Sequence, residues 1–308
     1  MQLLYFIESL RCGFLDFFFS VVTLFGEETF FMVIGLIVFW CLNKQQGYYL
    51  LCTGFAGTLI NQTLKMTFRV PRPWIKDPNF TIVESAREGA SGFSFPSGHT
   101  QTSVGIFAGL ARWNKIKWLR ILSIVMCVLV PFSRLYLGVH TPLDVSVSIV
   151  IALGLVFGFF PLFAKAENNN KIMYILLLGL FAITIGFFVF ANFYKFPKEV
   201  YLSENIHNLQ SAQKNAFTLL GCSIGLILTY FIDSKYTKFD TKAVWWAQIL
   251  KVVGGLACVL IVKELLRSPL EALFNHELIA RAVRYFLIVI VAGTLWPMTF
   301  KWFSKLGK

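Results

Sequence analysis

The sequence predicts an all-α fold: a polytopic transmembrane helical bundle of about nine spans, preceded by an N-terminal interfacial helix. Three observations carry this. Of the 308 residues, 56% are apolar and only 14% are charged, where a soluble domain carries about a quarter. Mean hydropathy is +0.67, and 33 residues are Phe. Apolar runs of membrane length, about 20 residues each, recur along the whole chain. A disordered chain, a small disulfide scaffold and an ordinary soluble domain are all excluded.

The elements follow in chain order. Residues 3–23 are apolar but interrupted by Glu8, Arg11 and Asp16, a pattern that suits a helix lying in the interface better than one crossing it. A crossing there is the alternative. The segment has no basic n-region and no small-residue cleavage site, so it does not read as a cleavable signal peptide. Spans are expected near 27–43, 46–66, 98–112, 117–137, 141–164, 172–193, 214–232, 246–264 and 284–303. No repeat and no long linker divides them, so 1–308 reads as a single membrane domain. Residues 172–308 add C-terminal transmembrane helices with no readable signature. The six cysteines are scattered through apolar runs without CxxC spacing, as small buried residues are.

Net charge is +12. In a membrane protein this reflects basic loops facing anionic lipid, and no nucleic-acid partner is expected. The long polar segments 69–97, 194–213 and 265–283 fall on one side of the nine-span scheme, together with the N-terminus. That side holds 14 Lys and Arg and 13 Asp and Glu; the short-loop side holds 14 and 3. The raw cation count gives no orientation, but the net excess places the short basic loops in the cytoplasm.

Three clusters carry chemistry, all at the long-loop side. They are Lys65 to Pro73 after the second span, Pro96-Ser97-Gly98-His99 opening the third, and Ser133 to Asp144 between the fourth and fifth. Lys65, Arg72 and Arg134 offer a point charge and two planar guanidinium forks, donors suited to phosphate oxygens. Ser97 and Gly98 begin a helix whose free N–H groups and positive dipole end face an anion. Two histidines, His99 and His140, beside a bound phosphate divide into nucleophile and general acid, although the residues alone do not say which attacks. Asp144, one helical turn after His140, is placed to hold one imidazole nitrogen. No ligand set for a metal appears.

Each feature has a plainer reading on its own. Thr141-Pro142-Leu143-Asp144 is a good helix start, with Asp144 as a capping-box residue. Lone cations at span ends usually snorkel to headgroups. The convergence of all three clusters on one face favours a site.

In order, spacing and identity, Lys65-x6-Arg72-Pro73, Pro96-Ser97-Gly98-His99 and Ser133-Arg134-x5-His140-x3-Asp144 resemble the three signature motifs of the type-2 phosphatidic acid phosphatase superfamily. The motifs cover 65–144, and the resemblance implies a catalytic phosphatase core over about 27–164. It implies that His140 is the nucleophile, Asp144 its orienting partner and His99 the acid that protonates the leaving group. Lys65, Arg72 and Arg134 would bind the phosphate, with Ser97 and Gly98 at the helix start, and no metal or cofactor is implied. The interfacial N-terminal segment, the Leu24 to Glu28 turn and the span count look like the glucose-6-phosphatase and sphingosine-1-phosphate phosphatase branch.

The expectation is therefore an integral membrane phosphatase. It would cleave a lipid phosphomonoester or diphosphate through a phosphohistidine, with the active site facing away from the cytoplasm. A phosphoryl or headgroup transferase on the same site is the first alternative. A lipid transporter is the second, disfavoured because the later spans carry essentially no ionisable residues.

Overall fold

The computed structural model of the chain describes residues 1–90, 92–202 and 205–306. All its regular elements among these residues are helical. Helices α1 (Gln2–Ser9) and α2 (Gly13–Leu24) form the N-terminal segment. The expected single helix over 3–23 is thus broken around Arg11, whose guanidinium donates to the Thr81 and Tyr136 carbonyls at 2.9 and 3.0 Å. Helix α3 (Glu28–Ile37) runs on through a π-helical turn, Val38–Leu42, and forms with α2 a pair bent by 50°.

Helix α4 (Lys44–Phe68) stops where Arg69 adopts a left-handed backbone, φ 50°, ahead of Pro71; proline has no N–H with which to continue a helix. A single turn, α5 (Pro73–Lys76), lies in the long loop that follows. Helix α6 (Gly98–Trp113) starts at an N-cap, Ser97, whose hydroxyl accepts the Thr100 N–H. Helix α7 (Lys117–Tyr136) returns beside it. Helix α8 (Pro142–Ala166) opens on the reciprocal capping pair the sequence suggested: Thr141 N–H donates to Asp144 Oδ2 at 2.7 Å, and Asp144 N–H to Thr141 Oγ1 at 3.3 Å. Then come α9 (Asn170–Phe193), α10 (Ile206–Ile232), α11 (Trp245–Leu265), α12 (Arg267–Phe274) and α13 (Glu277–Ile290).

Among the described residues, five helical stretches are long and apolar enough to cross a membrane: Lys117–Tyr136, Pro142–Ala166, Asn170–Phe193, Ile206–Thr237 and Glu277–Phe303. The bent pair of α2 and α3 makes a sixth if it is one span. The chain is a multi-pass membrane protein, but the expected nine spans are not all reproduced. Helix α4 carries Asn61, Gln62 and Lys65 in its run, and α6 has only 16 residues, short of the roughly 20 a bilayer requires.

The chain divides into two compact units. One holds Met1–Met32, Leu50–Phe160 and the described part of Ser203–Asn208; the other holds Val33–Tyr49, Pro161–Leu202 and Leu209–Lys308. In the first, Ile7, Phe19 and Val22 from α1 and α2 are buried with Val130 and Tyr136 of α7 and with Leu137 and Val139 beyond it. In the second, Lys251 of α11 is wholly buried, its Nζ donating to the Trp40 and Thr241 carbonyls at 2.8 and 2.9 Å and lying 4.1 Å from the Phe300 ring centroid. The later helices therefore do contain a buried ionisable group, contrary to the sequence expectation. Its partners are backbone carbonyls and an aromatic face, which satisfy an ammonium locally.

Candidate active site

The eight residues singled out in the sequence come together in the first unit. Lys65 comes from the last turn of α4, Arg72 from the loop after it, Gly98 and His99 from the first turn of α6, Arg134 from the last turn of α7, and His140 from the α7–α8 connection. All six line one cavity of about 120 Å³, which Asn61, Gln101 and Glu28 help to enclose. Ser97 and Asp144 stand just behind it: the Ser97 N–H donates to the Asp144 carbonyl at 3.3 Å.

His140 is 2% exposed. Its Nε2 is 3.0 Å from Arg72 Nη1. A guanidinium can only donate, so Nε2 is the accepting nitrogen and the ring proton sits on Nδ1. That nitrogen faces Ser94 Oγ at 3.5 Å and Asp144 Oδ2 at 3.6 Å. Ser94, fully buried, donates its hydroxyl to the same Asp144 oxygen at 2.6 Å. The Asp144 carboxylate thus caps α8 and lies behind His140 at once. Burial pushes the His140 imidazole well below the usual histidine range, and the positive charges of Arg72, Arg134 and Lys65 push the same way. The ring is neutral at physiological pH.

The three cations are held differently. Arg72 is pinned by the backbone, donating to the Gly92 and Val139 carbonyls at 3.0 and 2.8 Å. Burial lowers it to about 10, opposed by Asp144, so it stays charged. Lys65 Nζ donates to the Phe93 carbonyl at 2.5 Å. Arg134, 2% exposed, gives one N–H from Nη1 to Thr23 Oγ1 at 2.6 Å, while its Nε and Nη2 are buried without an acceptor. Buried guanidinium donors with no partner are costly, and an anion in the cavity removes that cost. A side chain built onto Gly98 would meet only Asn61 Oδ1, at 3.9 Å, so this glycine leaves space on the cavity wall.

Two contributors escaped the sequence reading. Ser94 looks like any loop serine, and Thr23 like any threonine in an apolar helix. Their partners lie 50 and 111 residues away, beyond any local signal. Among the described residues, no group of three His, Cys, Asp or Glu side chains is arranged to hold a metal.

Three cations and two histidines around one cavity at a helix start, in a multi-pass helical chain, form an arrangement suited to an anion. Residues 45–168 match the PAP2 superfamily, and residues 217–308 match the PAP2 superfamily phosphatase, transmembrane extension. The chain belongs to the PAP2 superfamily. It is 35% identical to a probable sphingosine-1-phosphate phosphatase of Dictyostelium discoideum over 161 residues, 48% of this chain and 38% of that protein. It is 33% identical to the undecaprenyl-diphosphatase BcrC of Bacillus subtilis over 130 residues, 41% of this chain and 64% of that protein. The chain thus spans less than two thirds of the length of either relative. A crystal structure of Aquifex aeolicus LpxE is 25% identical, with a TM-score of 0.45, over 51% of this chain and 91% of that one.

Proposed function

We propose that this chain is an integral membrane phosphatase that hydrolyses a lipid phosphomonoester or diphosphate through a phosphohistidine intermediate, without a metal. The observation that carries the proposal is the pair of buried, unpartnered donors on Arg134, sharing a cavity with the accepting nitrogen of His140. The names of the relatives support a lipid phosphate as substrate, since sphingosine-1-phosphate and undecaprenyl diphosphate both present a terminal phosphate on a membrane-bound chain.

The geometry suggests how the reaction runs. A bound phosphate becomes the acceptor for Arg72 Nη1, which frees the lone pair of His140 Nε2. That nitrogen attacks phosphorus as the bond from phosphorus to the lipid oxygen breaks, and His99, which holds a proton once the phosphate anion offsets the three cations, gives it to the departing oxygen. Water then attacks the phosphoryl group while His99 takes its proton. The phosphorus–nitrogen bond breaks, and inorganic phosphate leaves. Ser94 and Asp144 hold the Nδ1 side of the ring and stabilise the charge it gains. Lys65, Arg72 and Arg134 neutralise the phosphate in both steps, the role a metal ion fills elsewhere. The net charge difference between the two loop sets of the nine-span scheme supports a site on the face away from the cytoplasm.

The test is phosphate release from a panel of lipid phosphates and diphosphates by the purified full chain in excess EDTA. Turnover of at least one substrate, unchanged by chelator and abolished by His140→Ala, is the expected result. Strict dependence on added Mg²⁺ contradicts it.

A further inference from the structure

The corner between α2 and α3 meets the residues that line the cavity at two points and joins the lining at a third. Thr23, in the last turn of α2 and 9% exposed, accepts an N–H from Arg134 at 2.6 Å. Gly26 packs so closely against α6 that an added Cβ would stand 3.0 Å from the His99 Cβ and carbonyl oxygen and 2.8 Å from Val130 Cγ1. Glu28, opening α3, lies on the cavity wall. Helix α2 is itself fixed on α7, where the Tyr136 hydroxyl donates to Asp16 at 2.8 Å and accepts the Cys12 N–H at 3.2 Å.

A guanidinium is a rigid planar fork, so fixing one nitrogen orients the others. Here the Nη1 arm is tied to Thr23, and the two remaining nitrogens, Nε and Nη2, have no acceptor. We infer that Thr23 is a positioning residue: by holding one arm of Arg134, the N-terminal helix turns the other two donors toward the substrate phosphate. The inference rests on reading the cavity as a phosphate site. It makes α2 a support behind the Arg134 wall of that site and not only a membrane-facing segment, although Phe14 and Phe17 on its outer side are largely exposed.

Inhibition by inorganic phosphate tests this in the full chain, because phosphate needs the anion site and no lipid-binding surface. Thr23→Val keeps the shape of the side chain and removes the acceptor; Thr23→Ser keeps the acceptor. Loss of one hydrogen bond to a charged group should raise the inhibition constant for phosphate, and KM with it, about tenfold in Thr23→Val. Thr23→Ser should stay within about twofold of the parent, on the same scale of free energies. In an Arg134→Lys background, which lacks the fork, Thr23→Val should add nothing. An unchanged inhibition constant in Thr23→Val, or a full further loss in the Arg134→Lys background, overturns the assignment. If Thr23→Val does not fold, Thr23→Ala takes its place, and equal inhibition constants for Thr23→Ala and Thr23→Ser overturn it. A parent chain that turns over lipid phosphates but shows no Thr23 effect loses only this inference; a parent chain that neither turns them over nor responds to phosphate loses the phosphatase reading itself.

Discussion

At His140 the two ring nitrogens meet opposite surroundings, a guanidinium on Nε2 and the Ser94–Asp144 pair on Nδ1. This asymmetry fixes the tautomer before any substrate binds. Ser94→Ala removes a donor from the Asp144 carboxylate, and a hydrogen bond to a charged group contributes about 1.5–3 kcal/mol. A fall in kcat of about tenfold or more, with KM nearly unchanged, is expected in steady-state kinetics; a fall confined to KM would place Ser94 in substrate binding instead. The His140 shift also has a consequence for pH. Its folded-state pKa lies below the unfolded value of about 6.5, so the folded chain binds fewer protons than the unfolded one. Its contribution to stability is present above about pH 6.5 and is lost as pH falls below it. The acidic limb of kcat/KM set by His140 should accordingly lie below that value. The motif residues were legible in the sequence because each cluster is fixed within a few positions. Ser94 and Thr23 were not, because their roles arise only when distant segments meet.

Among the elements, the close approach of helix backbones is the feature most sensitive to substitution. In the second unit, a Cβ on Gly221 of α10 would lie 2.0 Å from the Ala282 carbonyl oxygen of α13. Backbone cannot step aside as a flexible side chain does, so Gly221→Val must separate the two helices, at a cost of about 1–3 kcal/mol or more. A clearly lowered melting temperature in detergent is expected; an unchanged one would mean that these helices do not pack as described. Helix identity was readable from apolar runs, and the Thr141–Asp144 cap from its residue types. The number of spans was less so, because α4 and α6 trade apolar residues for Asn61, Gln62, Lys65 and a polar first turn. A hydropathy argument cannot separate a short, site-building helix from a true crossing. Lys251 shows the converse: a charge within an apolar run is accommodated by two carbonyls and a ring, a solution that only the fold displays.

For the whole molecule, the proposed orientation rests on the charge of the two loop sets in the nine-span scheme. Cations are equal on the two loop sets and acids are not, so the prediction rests on net excess. In a chain with the exposed Cys12 changed to serine, a cysteine at Leu202 should react with an impermeant thiol reagent in intact cells, and one at Asn169 should not. The reverse pattern would put the phosphate site in the cytoplasm. Either orientation leaves the chemistry at His140 intact, and that chemistry is open to direct observation. The full chain, mixed with a lipid substrate labelled with ³²P in its terminal phosphate and quenched with alkali during turnover, should carry acid-labile, alkali-stable label on the peptide containing His140. His140→Ala should carry none. Label on a different residue, or phosphate release that persists in His140→Ala, would contradict the account.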